Sequence, residues 1–417
     1  MSSQGAATRT EASPLAVVAE KKDLYEIGEI PPLGHVPASM YAWAIRKERH
    51  GEPDQAMQIE VLPTWTIGDD EVLVLVMAGG VNYNGIWAGL GVPISPLDGH
   101  KHPFHIAGSD ASGIVDAVGP GVTRWKEGDE VVIHCNQSCG ECAECNGRDP
   151  MACSRQKIWA YETNWGSFAE YCLVQSQQLL AKPGRLTWEE AASYGLTYFT
   201  AYRMLVDRAG VKAGDNVLVW GAGGGLGTFA VQLCRLYGAN AVAVVSSDDK
   251  RELVTGLGAT AVIDRRDFAL HDPDTGERNF DEIKRFGKAI REVTGGSDAD
   301  IVFEHVGAAT FFTSVFVCKT FGTVVICGAT SGFQLDFDVR YLWMRQKTIL
   351  GSHFANAYEC QRANQLIAEG KIEPVLSRVF TWSECPVPHQ MMKENEHVGK
   401  MVVLVGAERE GEGRRDG

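Results

Sequence analysis

Between residues 216 and 247 the chain runs NVLVW, then Gly221-Ala-Gly-Gly-Gly-Leu-Gly227, then TFAVQLCRLYGA and NAVAVVSS. A short apolar run, a glycine-rich turn, a stretch with helical apolar spacing and a second apolar run make a βαβ unit. Few patterns restrict a fold as much, because parallel strands joined by a helix commit the chain to a sheet covered on both faces. The glycines also carry chemistry. At Gly221, Gly223, Gly224, Gly225 and Gly227, with Leu226 among them, the absence of side chains lets amides at a helix N-terminus approach a pyrophosphate. Such a pattern alone is a plain turn; between a strand and a helix it is a dinucleotide site.

The end of the second strand selects the cofactor. An acid there would bind the ribose 2′-hydroxyl of NAD. This chain instead has Ser246 and Ser247, with Lys250 and Arg251 on the helix that follows. Hydroxyls and cations suit a 2′-phosphate, so the expected cofactor is NADPH. Asp248 and Asp249 come one turn late for the acid's role and read as a helix-start pair favoured by the helix dipole.

The alternation continues through GATAVIDR, a charged helical stretch near 281–294, ADIVFEHVG, a helix around 309–319 and GTVVICGAT. Residues 200–355 are therefore expected to be a doubly wound parallel sheet. Residues 21–199 read differently. EVLVLVMAGGV (71–81), ASGIVDAVGPGV (111–122) and DEVVIHC (129–135) are strand-like runs with glycine turns and no regular helices between them. That half is expected to be mostly β, rejoined by residues 356–405, which contain a helix over 357–370 and end in GKMVVLVG. Residues 1–20 and 406–417 lack apolar periodicity and are expected to be a loose arm and a mobile tail. A length of 417 residues suits this two-domain division.

A net charge of −14 argues against a nucleic-acid surface and a polybasic membrane patch. The first residues lack a basic start followed by an apolar core, and no apolar run approaches the roughly 20 residues that span a bilayer. A cytoplasmic location is expected. Five of the eleven cysteines lie between Cys135 and Cys153. Cys139-x2-Cys142-x2-Cys145-x7-Cys153 offers four thiolates in one loop, suited to tetrahedral zinc and, with no open position, to a structural site. Cys135 falls outside the spacing and reads as a packing residue.

This loop followed by the glycine-rich βαβ half resembles the medium-chain dehydrogenase/reductase superfamily across nearly the whole chain. The resemblance implies an α/β protein, a GroES-like mostly-β catalytic domain plus a Rossmann-type doubly wound parallel sheet. Zinc alcohol dehydrogenases of that superfamily hold a catalytic zinc through a cysteine, a histidine and another cysteine. The corresponding places here are Val81-Asn82-Tyr83-Asn84, Gly108-Ser109-Asp110 and Tyr194-Gly195, and none carries a ligand of that kind. Without a Lewis acid to polarise an alcohol, alcohol oxidation by the usual route is not expected.

One subgroup matches further, through Val81-Asn-Tyr-Asn84, Ile158-Trp-Ala-Tyr-Glu-Thr163, Leu186-Thr-Trp-Glu-Glu-Ala-Ala192, Val245-Ser-Ser247, Val302-Phe-Glu-His305, Arg340-Tyr-Leu-Trp-Met344 and Gly351-Ser-His-Phe-Ala-Asn356. These phrases are similar to those of the crotonyl-CoA (enoyl-CoA) carboxylase/reductases. The resemblance implies NADPH-driven reduction of an α,β-unsaturated acyl-CoA with capture of carbon dioxide, in a homo-oligomer, a tetramer. It places Asn84, Tyr161, Glu162 and His353 around the carbon dioxide. Asn84 would donate its amide to an oxygen, Tyr161 would wall off water, and Glu162 with His353 would hold one ordered water. Taken singly, Asn84 would cap a turn, Tyr161 would be core, Glu162 surface and His353 a satisfied strand-end histidine. Some relatives carry phenylalanine at the place of Tyr161, and some lack the four-cysteine loop, so zinc is expected to brace the fold and not to take part in the reaction. The competing expectations are a plain NADPH enoyl-thioester or quinone reductase and a non-catalytic NADPH-binding protein.

Overall fold

The computed structural model describes residues 20–415. The loose arm expected over residues 1–20 lies almost wholly outside them. Asn216–Val219 forms the first strand of a six-stranded parallel sheet. In spatial order the strands are Ala261–Asp264, Asn240–Val245, Asn216–Val219, Ala299–Glu304, Cys318–Ile326 and Thr348–Gly351. That is the 3-2-1-4-5-6 order of a doubly wound sheet, and ligands of such sheets bind where the order reverses, beside the first strand. The helices Gly225–Tyr237 and Phe280–Val293 fall where periodicity puts them. The helix expected around 309–319 stops at Val317, and Cys318 starts the next strand.

The other half is built on Glu71–Gly80, buried at nine successive positions, so its near-continuous apolar run reflects contact on both faces. It pairs antiparallel with Asp110–Val118, Tyr171–Gln175 and Lys400–Leu404. Lys400–Leu404 brings the end of the chain back into this sheet and pairs in parallel with Leu376–Phe380. Thr197–Tyr202 and Ala357–Ala368 join the halves. Val132 and Leu180 of the β half share one apolar core with Tyr198, Phe229, Ile301, Ala363 and Ile367. The helix assigned by sequence to the first half thus shares its core with the second.

The tail is a correction. Residues 406–415 are docked, not loose. Trp188 N donates to Glu412 O (2.9 Å), Arg415 N to Gly184 O (2.8 Å) and Lys182 Nζ to Gly413 O (2.6 Å). A Cβ on Gly413 would stand 2.7 Å from the Trp188 indole. The tail is held by backbone hydrogen bonds and a glycine-on-tryptophan contact, neither of which needs apolar periodicity.

Candidate active site

A cleft of about 530 Å³ opens between the halves, with the glycine turn forming one wall. Gly221 takes φ +54°, a left-handed conformation suited to glycine. At Gly227 a Cβ would stand 2.4 Å from Ala222 Cα, so that glycine permits close helix–strand packing. Gly223, Gly224, Gly225 and Leu226 face the cleft, while Gly227 is buried behind them. The turn is strapped to the β half, since Gly399 N donates to Gly223 O (2.8 Å). The Gly224 amide is spent on Gly221 O (3.0 Å), and the amides of Gly223, Gly225 and Leu226, at the start of a 13-residue helix, fit a pyrophosphate.

Ser246 and Lys250 line the same cleft. Lys250 is buried, with its pKa lowered by that burial, and its Nζ lies 3.5 Å from Asn395 Oδ1. Ser247 occupies the helix N-cap and is not part of the wall. Arg251 departs from expectation: it turns away to Val262 O (3.4 Å) and Asp264 (3.8 Å), where an acid and a carbonyl compete for it. Arg265 lines the cleft in its stead. The parallel register Val245↔Asp264 places Arg265 beside Ser246. Its guanidinium has no side-chain partner among the described residues. A cation just after the third strand was the signal, and it becomes legible only once that strand is known to neighbour the second.

The three segments that would have held a catalytic zinc do converge. Asp110 lies at their centre with no exposure. Its carboxylate accepts from Asn82 Nδ2 (2.8 Å), from Lys400 Nζ (2.9 Å) and from Leu196 N. Lys400, 1% exposed, also donates to Val81 O (2.8 Å) and Asn82 Oδ1 (2.6 Å), so all three ammonium hydrogens are used. A buried cation and its carboxylate thus stand beside the glycine turn, where a Cβ on Gly225 would meet Lys400 Cδ at 2.8 Å. Lys400 was not foreseen; a lysine opening an apolar strand was its one trace.

Asn84 sits in the first turn of the helix Tyr83–Leu90, on the cleft wall. Its Nδ2 donates to Ser109 Oγ (2.6 Å), and Ser109 Oγ donates to Trp159 O (3.0 Å). Asn84 Oδ1 is buried without a partner. His353 lines the same cleft. Its ring is open to the cleft, yet protein surrounds it enough that burial lowers its pKa; Glu162 opposes that shift and Arg203 adds to it. Phe354 next to it has φ +41°, a strained value for a bulky residue. The structure therefore brings Asn84 and His353 together on one cleft. Tyr161 and Glu162 lie on the adjoining turn, outside the wall. The Tyr161 hydroxyl donates to Ile94 O (3.1 Å), and its half-buried ring packs on the core of the β half. Glu162 is exposed, and its carboxylate accepts from Ile158 N (2.7 Å).

Away from the cleft, one sulfur from each of Cys139, Cys142, Cys145 and Cys153 lies within 4.8 Å of the others, with Cys139–Cys145 at 3.8 Å and Cys142–Cys145 at 3.5 Å. Zinc–thiolate bonds of about 2.3 Å in a tetrahedron put sulfurs roughly 3.8 Å apart, so the set fits zinc. Cys135 is buried in the core of the β half.

Comparison with known proteins bears directly on this arrangement. Residues 68–184 match the family described as alcohol dehydrogenase GroES-like domain, and residues 225–369 the family described as zinc-binding dehydrogenase. A crotonyl-CoA carboxylase/reductase of Cereibacter sphaeroides is 60% identical over 408 residues, 95% of either chain. The chain belongs to the crotonyl-CoA carboxylase/reductase family. A crotonyl-CoA reductase of Streptomyces collinus is 46% identical over 88% of this chain and 86% of that protein. A solved crotonyl-CoA carboxylase/reductase superposes with a TM-score of 0.90 at 58% identity, covering 96% of each chain. A 2-octenoyl-CoA carboxylase reductase solved with NADP and 2-octenoyl-CoA superposes at 0.87, with 40% identity over 91% of each chain. The expected fold, a GroES-like domain with a Rossmann-type parallel sheet, is what this family member has. No helix among the described residues is long and apolar enough to cross a membrane.

Proposed function

We propose that this chain converts an α,β-unsaturated acyl-CoA, crotonyl-CoA or a longer 2-enoyl-CoA, and carbon dioxide into an alkylmalonyl-CoA such as ethylmalonyl-CoA, with NADPH as reductant. The observation that carries the reading is one cleft on which the glycine turn, Asn84 and His353 meet, in a member of this family. Bound NADPH supplies a hydride to the β-carbon of the enoyl thioester. The alkene electron pair then forms an enolate, its α-carbon bonds to carbon dioxide, and a carboxylate results with no proton consumed. Ser246, Lys250 and Arg265 hold the 2′-phosphate, by their position around one corner of the cleft. Asn84 offers an amide hydrogen to a carbon dioxide oxygen. Tyr161 closes the neighbouring turn against bulk water, and Glu162 and His353 hold a water at the mouth, supported by the effect of Glu162 on His353.

The four cysteines hold a zinc that braces their loop, a closed set with no position for substrate. The functional unit is a homo-oligomer, a tetramer. Supporting this, Phe321, Trp343 and Met344 are exposed near Thr348–Gly351, the edge strand of the parallel sheet. Eleven unbridged cysteines suit a reducing cytoplasm.

The test incubates the protein with NADPH, crotonyl-CoA and labelled bicarbonate with carbonic anhydrase. Label in ethylmalonyl-CoA is the expected result. Oxidation of NADPH with only unlabelled butyryl-CoA would reduce the protein to a plain enoyl-CoA reductase, and no oxidation with any 2-enoyl-CoA would remove the enzymatic reading.

A further inference from the structure

Ser109 stands in the segment where zinc-dependent members of the superfamily carry their metal-binding histidine, and it is fully buried. A serine hydroxyl has one proton. Trp159 O can only accept, so that proton goes to it over 3.0 Å. Toward Asn84 the hydroxyl must therefore accept, and it does so at 2.6 Å from Nδ2. This fixes which end of the Asn84 amide faces Ser109. It leaves the second amide hydrogen of Nδ2 uncommitted and points Oδ1 to a buried place without a protein partner.

The other end of the chain of bonds is just as specific. Trp159 O belongs to the turn that carries Tyr161 and Glu162. That turn is closed by Glu162 N to Ile158 O (2.9 Å) and passes through Ala160 at φ +62°, a conformation an alanine rarely adopts. A strained turn persists only where its surroundings over-determine it. The carbonyl of Ala160 is taken by His105 Nε2 (3.2 Å), and the carbonyl of Trp159 by Ser109. His105 is wholly buried and its pKa is pushed down to about 3, by burial first and by His100 second, so it stays neutral at working pH. Two successive carbonyls ahead of Tyr161 are thus clamped from the short segment 105–109, and one of the clamps also grips Asn84.

We infer that Ser109 is a positioning residue for carboxylation. It orients the Asn84 amide and ties it to the Ile158–Glu162 turn, so that the two sides of the carbon dioxide pocket keep a fixed relation. The inference rests on the proposed role of Asn84 in that pocket. Its effect falls on the fate of the enolate, carboxylation against protonation, and not on hydride delivery.

The readout is the ratio of ethylmalonyl-CoA to butyryl-CoA formed from crotonyl-CoA at a fixed, limiting bicarbonate concentration. A ratio does not depend on how much enzyme is folded. Ser109→Ala is expected to lower it about fivefold or more, the effect of losing one well-placed hydrogen bond in a single branch of the reaction. Asn84→Ala is expected to lower it too, and Ser109→Ala added to Asn84→Ala should lower it no further, because the serine acts through the asparagine. Ser109→Thr, which keeps the hydroxyl, should recover most of the ratio, and Ser109→Cys, a weak donor and acceptor, should fall between. A wild-type ratio in Ser109→Ala, or additive losses in the double variant, would overturn the inference while leaving Asn84 in place. A wild-type ratio in Asn84→Ala would instead remove the pocket reading on which it rests.

Discussion

Lys400 allows the most direct physical test. Its ammonium spends its three hydrogens on Asp110, Asn82 and Val81 O at 2.6–2.9 Å, with both charged groups essentially without exposure. Lys400→Met keeps the length of the side chain and removes the charge. Asp110 is then left as a buried carboxylate holding only Asn82 and the Leu196 amide, while the Val81 carbonyl and Asn82 Oδ1 lose their donor. Breaking a buried pair from one side costs about 3–5 kcal/mol, most of it the uncompensated charge. For a domain of this size that lowers Tm by roughly 6–20 °C. The pair also sits against the cofactor turn, so NADPH affinity should fall with it. Urea unfolding of Lys400→Met, Asp110→Asn and the double variant closes a cycle. Asp110→Asn should cost less in the Lys400→Met background than in the wild type, by on the order of 1–3 kcal/mol. If Lys400→Met unfolds within about 1 kcal/mol of the wild type, or the two substitutions add, the pair does not hold the site as argued.

Three further outcomes follow from the geometry. Arg265→Ala should weaken NADPH binding about tenfold or more, since a charge-assisted hydrogen bond contributes about 1.5–3 kcal/mol, and leave NADH binding nearly unchanged; Arg251→Ala should alter neither, and equal losses in both, measured by cofactor fluorescence, would return the 2′-phosphate to Arg251. Cys142→Ser should lower the melting temperature and release zinc to a chelator dye while leaving turnover per folded enzyme close to wild type; unchanged melting with lost turnover would make the loop part of the reaction. Burial raises the pKa of Glu170 to about 7, although it accepts a hydrogen bond from Tyr41 N. The folded state keeps that proton while the unfolded chain releases it near its ordinary value, about 4.3. Stability from this group is therefore full below the unfolded value and is lost as pH rises through about 7. Glu170→Gln should flatten the fall in unfolding free energy between pH 5 and pH 8; an unchanged slope would place its source elsewhere.

What could be read in the sequence was what is local. The glycine turn, its flanking strand and helix, and the four-cysteine loop each lie within about 30 residues, where spacing and periodicity carry the information. Asn84 and His353 were reached through resemblance, and the fold alone puts them on one cleft. Arg251 was the natural choice by proximity to Ser246, but helical geometry turns it toward Asp264, and a parallel register brings Arg265 in from the next strand. Lys400 and Asp110 are 290 residues apart, and only the antiparallel pairing of Lys400–Leu404 with Glu71–Gly80, itself beside Asp110–Val118, makes them neighbours. The sequence shows three absences at the places of the zinc ligands. The structure shows what stands there: a buried ammonium, its carboxylate and an asparagine locked by a serine. The Asp110 carboxylate is paired there by Lys400, and on the proposed reading it is Ser109 and Asn84 that bear on the fate of the enolate.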